Sequence, residues 1–219
     1  MRKTSIAGNG KKIILLCGPP ASGKDTLTEL LKKRNNIFCH FKKHRVSNQV
    51  DKSGNLKTYF KISLNEFLQR VGKDEFVQFH KRYERFYGVS KKVLDNSLQY
   101  GKIPILHVGK IYDLMELEDV LNADAAKILI WETKDVINDR LVLRHHGDYK
   151  EIQLRLKSYD TEIESLRRIK LEKAFDFVIK NHNLNRTLNI IEDGVLNSKK
   201  QMDLEMELEI FRSYVNDRH

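Results

Sequence analysis

KKIILLCGPPASGKDTL, residues 11–27, runs from a short apolar segment through a glycine-bounded turn to a lysine and an aspartate. KKIILLC (11–17) is rich in isoleucine and leucine and is closed by Gly18, Pro19 and Pro20, which predicts a buried parallel strand rather than a helix. From Gly23 to about Arg34, Leu27, Leu30 and Leu31 recur at helical spacing, with basic residues gathered at the end as a helix C-terminus prefers. Gly18 to Lys24 has the spacing G-x-x-x-x-G-K, and a strand before it and a helix after it are the context in which that spacing binds phosphate. Gly18, Pro19, Pro20, Ala21, Ser22, Gly23, Lys24, Asp25 and Thr26 are therefore the candidate ATP-binding residues. Backbone N–H groups of the loop and of the helix N-terminus make a concave anion site, and Lys24 neutralises charge on the β- and γ-phosphates.

Asp25 stands where such loops carry the serine or threonine hydroxyl that holds magnesium. Two consequences are open. Magnesium prefers oxygen and is commonly bound by one or two carboxylates with phosphates and water, so Asp25 is the candidate Mg²⁺ residue, with the Thr26 hydroxyl beside it. Alternatively, a carboxylate so close to the phosphates repels them and the site is degenerate.

Outward from the loop, apolar strand candidates at Ile37 to Phe41, Ile103 to Val108, Ala126 to Trp131 and Phe175 to Ile179 alternate with helical patterns at 111–121, 134–144, 150–172 and 184–196. That alternation predicts a parallel α/β sheet. Between Phe41 and Tyr87 the rhythm changes, with a turn at Ser53, Gly54 and Asn55, a strand-like TYFKI, and a capping-box signature from Ser63 to Glu66. This stretch is expected to be an inserted substrate subdomain. RHHGDYKE (144–151) breaks two helices with charges and a glycine, as a mobile flap or a plain loop would. In the tail, 197–219, Leu204, Leu208, Phe211 and Val215 form one apolar stripe, expected to pack on the domain, with a homodimer contact as the alternative.

The chain has 219 residues, 40% of them hydrophobic, enough for one compact domain with insertions. Its formal charge of +10 points to anionic partners such as nucleotides or sugar phosphates. HFKKHR (40–45) also suits nucleic acid, but affinity for small phosphates explains the charge equally well. Cys17 and Cys39 sit in apolar runs without metal-ligand spacing, which suits thiols in a reducing compartment. The apolar run near the start is too short for a signal core or a membrane span, so a cytoplasmic location without membrane contact is expected.

Several stretches, in order, resemble the guanylate kinase superfamily from about Lys12 to Ile191. They are GPPASGKDTL (18–27), TYFKISLNEF (58–67), FVQFHKRYERFYGVS (76–90), DRLVLRHHG (139–147), QLRL (153–156) and FDFVIKN (175–181). The resemblance implies a three-layer P-loop nucleoside-monophosphate-kinase-like α/β fold. Within a domain spanning 1–196 it implies a core at 11–40 and 89–196, an acceptor-binding insertion at about 41–88 and a lid at about 144–152. It also implies ATP and a small phosphorylated acceptor as partners, with Mg²⁺ as cofactor. Family residues that hold the acceptor fall on Arg45, Tyr59, Gln78, Tyr87 and Ser90. The catalytic group falls on Lys24 and on the lid arginines Arg144 and Arg155, which would meet charge on the transferring phosphoryl.

Three family positions depart from the pattern: a second acceptor arginine falls near Asn48, the guanine-reading glutamate on Gln78, and a strand-end aspartate on Gly109. A carboxamide cannot accept two N–H donors with both oxygens as a carboxylate does, so a GMP-like acceptor is expected with a weakened guanine preference. The ribose 1,5-bisphosphate phosphokinases resemble this sequence in G-K-D and in HVGK (107–110), making a sugar-phosphate acceptor one alternative. A non-catalytic protein-binding module is another.

Overall fold

The computed structural model describes residues 13–47, 59–82, 85–121, 125–197 and 201–217. Asn48, the turn at 53–55, Thr58 and the start of the first strand at residues 11 and 12 lie outside these. β1 (Ile13–Cys17) is buried along its whole length, as an apolar run packed on both faces must be. It leads through the glycine loop into α1 (Lys24–Arg34), then β2 (Phe38–His40) and a smaller unit. That unit comprises β3 (Lys43–Val46), β4 (Tyr59–Ile62), α2 (Leu64–Gly72), β5 (Phe76–Arg82) and β6 (Arg85–Ser90). The chain continues through α3 (Lys91–Gln99), β7 (Ile103–Val108), α4 (Ile111–Leu121), β8 (Ala125–Trp131), α5 (Lys134–His145), α6 (Tyr149–Arg167) and α7 (Leu171–Ala174). It ends in β9 (Phe177–Lys180), α8 (Leu184–Leu196) and α9 (Leu204–Asn216).

The main sheet has the order β2-β7-β1-β8-β9, and every pairing in it is parallel. Its two faces carry separate cores. Ile14 and Leu16 pack with Leu27, Leu31, Leu188 and Ile191 from α1 and α8. Ile13, Leu15 and Cys17 pack with Leu114, Ile137, Tyr159 and Phe211 from α4, α5, α6 and α9. Three layers follow, as expected. From β1 the chain runs through α1 to β2 on the β7 side, and after β7 it crosses to β8 on the other side of β1, so a crevice opens beyond the C-terminal end of β1, where α/β sheets bind ligands.

The second sheet, β4-β3-β6-β5, is mixed and has its own small core of Val46, Ile62, Phe67 and Phe76. The Ser63 hydroxyl caps α2 by accepting from Glu66 N at 3.1 Å, while the Glu66 carboxylate pairs with Arg70 rather than returning to the cap. Half of the predicted capping box is therefore formed.

Other differences from the sequence expectation have local causes. The interruption at 144–151 shrinks to residues 146–148, because His146 takes a left-handed conformation (φ 47) and the Asp148 carboxylate caps α6 through Glu151 N. The helix expected over 150–172 stops at Arg167, and α7 restarts at Leu171. The strand expected from Phe175 starts at Phe177, because the Asp176 carboxylate accepts from Lys127 N at 2.9 Å at the start of β8.

The predicted stripe of α9 packs onto the domain, with Leu208, Phe211 and Val215 buried and Phe211 edge-on to Trp131 at 5.0 Å between ring centroids. The segment before α9 covers the exposed edge of β9. The Gln201 carboxamide accepts from Val178 N and donates to Val178 O, each at 2.9 Å, and Glu207 accepts from Lys180 N at 3.0 Å. Replacing Phe211 with alanine removes a side chain that is 1% exposed and should lower unfolding free energy by about 3–5 kcal/mol, read as an earlier urea midpoint.

Candidate functional site

Two glycines set the loop after β1. Gly18 has φ 144, and a Cβ there would overlap the carbonyl oxygen of Ile130 in β8; Gly23 has φ 104, and a Cβ there would overlap the Asn181 carboxamide. The loop carbonyls are engaged from outside. Arg140 donates to Ala21 O at 3.2 Å and to Asn181 O at 3.0 Å, and Asn181 Nδ2 donates to Ser22 O at 2.8 Å. At the N-terminus of α1, the N–H groups of the first turn lack intrahelical partners by geometry, and no side chain caps them. The result is a rigid cradle whose open donors suit an anion.

Lys24 folds back over this cradle. Its Nζ donates to Gly18 O at 2.6 Å and Pro19 O at 2.8 Å and approaches the Ser22 hydroxyl at 3.3 Å. Burial pushes its ammonium down to about 8, partly opposed by the Glu162 carboxylate. Asp25 beside it is exposed and flanked by two donors. His107 Nδ1 lies 3.5 Å from Oδ1, and Arg144 Nη1, from the end of α5, lies 4.0 Å from Oδ2. Among the described residues no group of three or more His, Cys, Asp or Glu side chains could hold a metal. One accessible carboxylate beside a phosphate cradle still fits Mg²⁺, which takes its remaining ligands from phosphates and water. Arg155 is turned to Glu151, one helical turn back, at 2.7 Å.

The acceptor candidates are assembled by strand register. Arg45 in β3 lies opposite Tyr87 in β6, and Tyr87 lies opposite His80 in β5, so the three form one row across the small sheet. Tyr59, at the start of β4, completes the group. The Arg45 guanidinium sits 4.9 Å from the centre of the Tyr59 ring, and the Tyr59 and Tyr87 rings are 5.6 Å apart. Burial raises the Tyr59 phenol to about 12, with smaller contributions from Tyr87 and from Asp25, which is therefore within electrostatic reach. Ser90 behaves differently. Its hydroxyl accepts from Val93 N at 3.5 Å as the cap of α3.

Gln78 is 2% exposed and fixed from one side, its Nε2 donating at 2.8 Å both to Asp113 O and to Glu116 Oε2. Two acceptors around Nε2 settle the amide orientation, leaving Oε1 buried with no partner among the described residues. His80 Nδ1 and Asp113 Oδ2 nearby are likewise buried without hydrogen bonds, 3.9 Å apart. Burial, reinforced by Lys43 and Arg82, pulls the His80 ring down to about 3, and burial raises the Asp113 carboxyl.

At Gly109, where the resemblance places an acid, the Arg82 guanidinium occupies the space a Cβ would take and would have to move to admit one. Arg82 crosses that position to donate to Ser158 at 3.2 Å and to pair closely with the buried Glu162 on α6. A cavity of about 420 Å³ opens here, with Gly18, Arg82, Gly109, Lys110 and Glu162 in its wall. Arg140, Asn181, His80, Arg82, Asp113 and Glu162 were all missed from sequence. Each acts through a partner at least 33 residues away, for which local spacing carries no signal.

The sequence model of the family described as Guanylate kinase matches residues 10–198. A guanylate kinase of Wolinella succinogenes is 26% identical over 181 residues, covering 82% of this chain and 80% of the relative. One of Prochlorococcus marinus subsp. pastoris is 26% identical over 183 residues, covering 82% and 94%. In fold, the crystal structure of guanylate kinase from Anaplasma phagocytophilum superposes with a TM-score of 0.64 at 20% identity, covering 91% of this chain and 94% of that one.

The Arg82–Glu162 pair generates a stability prediction. Glu162→Ala strands a largely buried guanidinium and should cost about 3 kcal/mol or more of unfolding free energy, measured by urea denaturation.

Proposed function

The chain belongs to the guanylate kinase family of P-loop kinases, and on that footing we propose that it transfers the γ-phosphoryl group of ATP to a nucleoside monophosphate, GMP foremost. The observation that carries this is the cradle itself. Both glycines are sterically required, the helix N-terminus is uncapped, and a lysine ammonium rests on backbone carbonyls that a phosphate would replace as its partner.

In this proposal Lys24 moves from the Gly18 and Pro19 carbonyls onto the β- and γ-phosphates. Arg45 and the Tyr59 and Tyr87 hydroxyls hold the acceptor phosphate, a guanidinium fork and two phenols being suited to a dianion. Arg144, already within 4.0 Å of Asp25, neutralises equatorial charge on the transferring group, and Arg155 joins it by exchanging Glu151 for phosphate. Asp25 would hold Mg²⁺, which when bound would offset charge on the phosphates. No covalent enzyme intermediate is needed. Positioning and electrostatics supply the catalysis, with closure of the α5–α6 turn excluding water.

Read alone, Gln78 counted against guanine. Family membership favours it, so GMP stands first. Neither the sugar-phosphate kinase nor the protein-binding module gains support, the curated relatives being guanylate kinases and the loop being intact.

ADP release from Mg-ATP with GMP, dGMP, AMP, UMP and CMP tests the proposal. GMP should give the highest kcat/KM, and Lys24→Ala should lose about 100-fold or more. ATP binding without turnover on any of these acceptors would overturn it. Arg45→Ala should raise the acceptor KM about 10- to 100-fold while leaving ATP affinity in place.

A further inference from the structure

With Gly109 where the resemblance places a strand-end acid, Asp25 is an accessible carboxylate beside the cradle, on the exposed first turn of α1. A metal-ligating carboxylate needs a neighbour that fixes its orientation. β7 supplies one. His107, next to last in β7 and opposite Leu16 of β1, projects over the sheet end onto α1. There it meets two residues three apart on the same helical face, with Nε2 at 2.7 Å from the Thr28 hydroxyl and Nδ1 at 3.5 Å from Asp25 Oδ1.

The Thr28 contact bears on the tautomer. Its side chain is buried, and if its hydroxyl donates to Nε2 the ring proton must sit on Nδ1, facing the carboxylate. The opposite tautomer would aim a nitrogen lone pair at a carboxylate oxygen. The His40 ring, 4.9 Å away and inclined by 31°, packs against the imidazole. In that tautomer the Nδ1–H faces Asp25 Oδ1 from the sheet at 3.5 Å, while Arg144 approaches Oδ2 at 4.0 Å from the end of α5.

We propose that His107, held by Thr28, is a positioning residue that turns the Asp25 carboxylate toward the metal-bearing phosphates of ATP. The chain would thereby compensate for moving the metal-holding acid from the end of β7 to the start of α1. This rests on the assignment of Asp25 to Mg²⁺ above.

The test uses Mn²⁺ as the probe. Its affinity for the complex of full-length protein with ATP is read by electron paramagnetic resonance, alongside ATP affinity in EDTA. His107→Leu should weaken Mn²⁺ binding about 10-fold with metal-free ATP binding unchanged, and Thr28→Val, close in shape and lacking the hydroxyl, should weaken it in the same direction. His107→Gln, which keeps an N–H donor, should recover part of the loss. Asp25→Asn combined with His107→Leu should be no weaker than Asp25→Asn alone, since the histidine acts only through the carboxylate. An additive double variant, or equal loss of Mn²⁺ and metal-free ATP binding in both His107→Leu and Thr28→Val, would overturn the proposal. If Asp25→Asn itself leaves Mn²⁺ affinity unchanged, the metal assignment fails first. Absence of turnover in the acceptor assay is a separate failure of the kinase proposal.

Discussion

The ammonium of Lys24 lying on the carbonyls of Gly18 and Pro19 is the contact around which the rest of the structure is arranged. It requires a loop that doubles back within six residues, and so two glycines at positive φ. The neighbours that forbid a Cβ at those glycines come from different elements, Ile130 at the end of β8 and Asn181 just after β9. β1 must therefore be central in the sheet, with β8 beside it and β9 next beyond, and the buried apolar run of β1 secures that position. Arg140 and Asn181 take the outward carbonyls, so the loop is rigid before any phosphate arrives and little ordering cost remains at binding.

A second set of polar contacts joins the small sheet to the main one. β5 carries Gln78 against the first turns of α4 and Arg82 against α6, and its pairing with β6 fixes His80 beside Tyr87. Deeply buried polar groups of this kind are costly unless they are paired, and several here have unused atoms: Gln78 Oε1, His80 Nδ1 and Asp113 Oδ2. They lie on the same small sheet and its packing partner α4, with His80 stacked beside Tyr87 of the Arg45–Tyr59–Tyr87 group.

Legibility in the sequence followed the range of the interaction. Strands such as 103–108 and helices such as 111–121 and 184–196 were readable to the residue, because apolar period and terminal residues act locally. The phosphate loop was readable for the same reason. β3, the β5–β6 hairpin and α3 were not assigned, as their residues mix charges with aromatics and take their faces from cross-strand partners. Gly109 looked like the loss of an acid, whereas the space beside it is taken by Arg82 on its way to Glu162, a pair 80 residues apart in the chain. Ser90, grouped with the acceptor residues by resemblance, caps a helix that the sequence pattern had not disclosed.

The central claim is that Lys24 is held in a partly desolvated position awaiting phosphate. Burial disfavours its charged form in the free protein, and phosphate oxygens would restore that form. The direct measurement is the titration of the Lys24 side-chain NMR signal, assigned through Lys24→Arg, with and without ATP. The account predicts a midpoint near 8 in the free protein and an amine that stays protonated beyond pH 9 once ATP is bound. A free midpoint at the ordinary lysine value, or one that ATP leaves where it was, would contradict it.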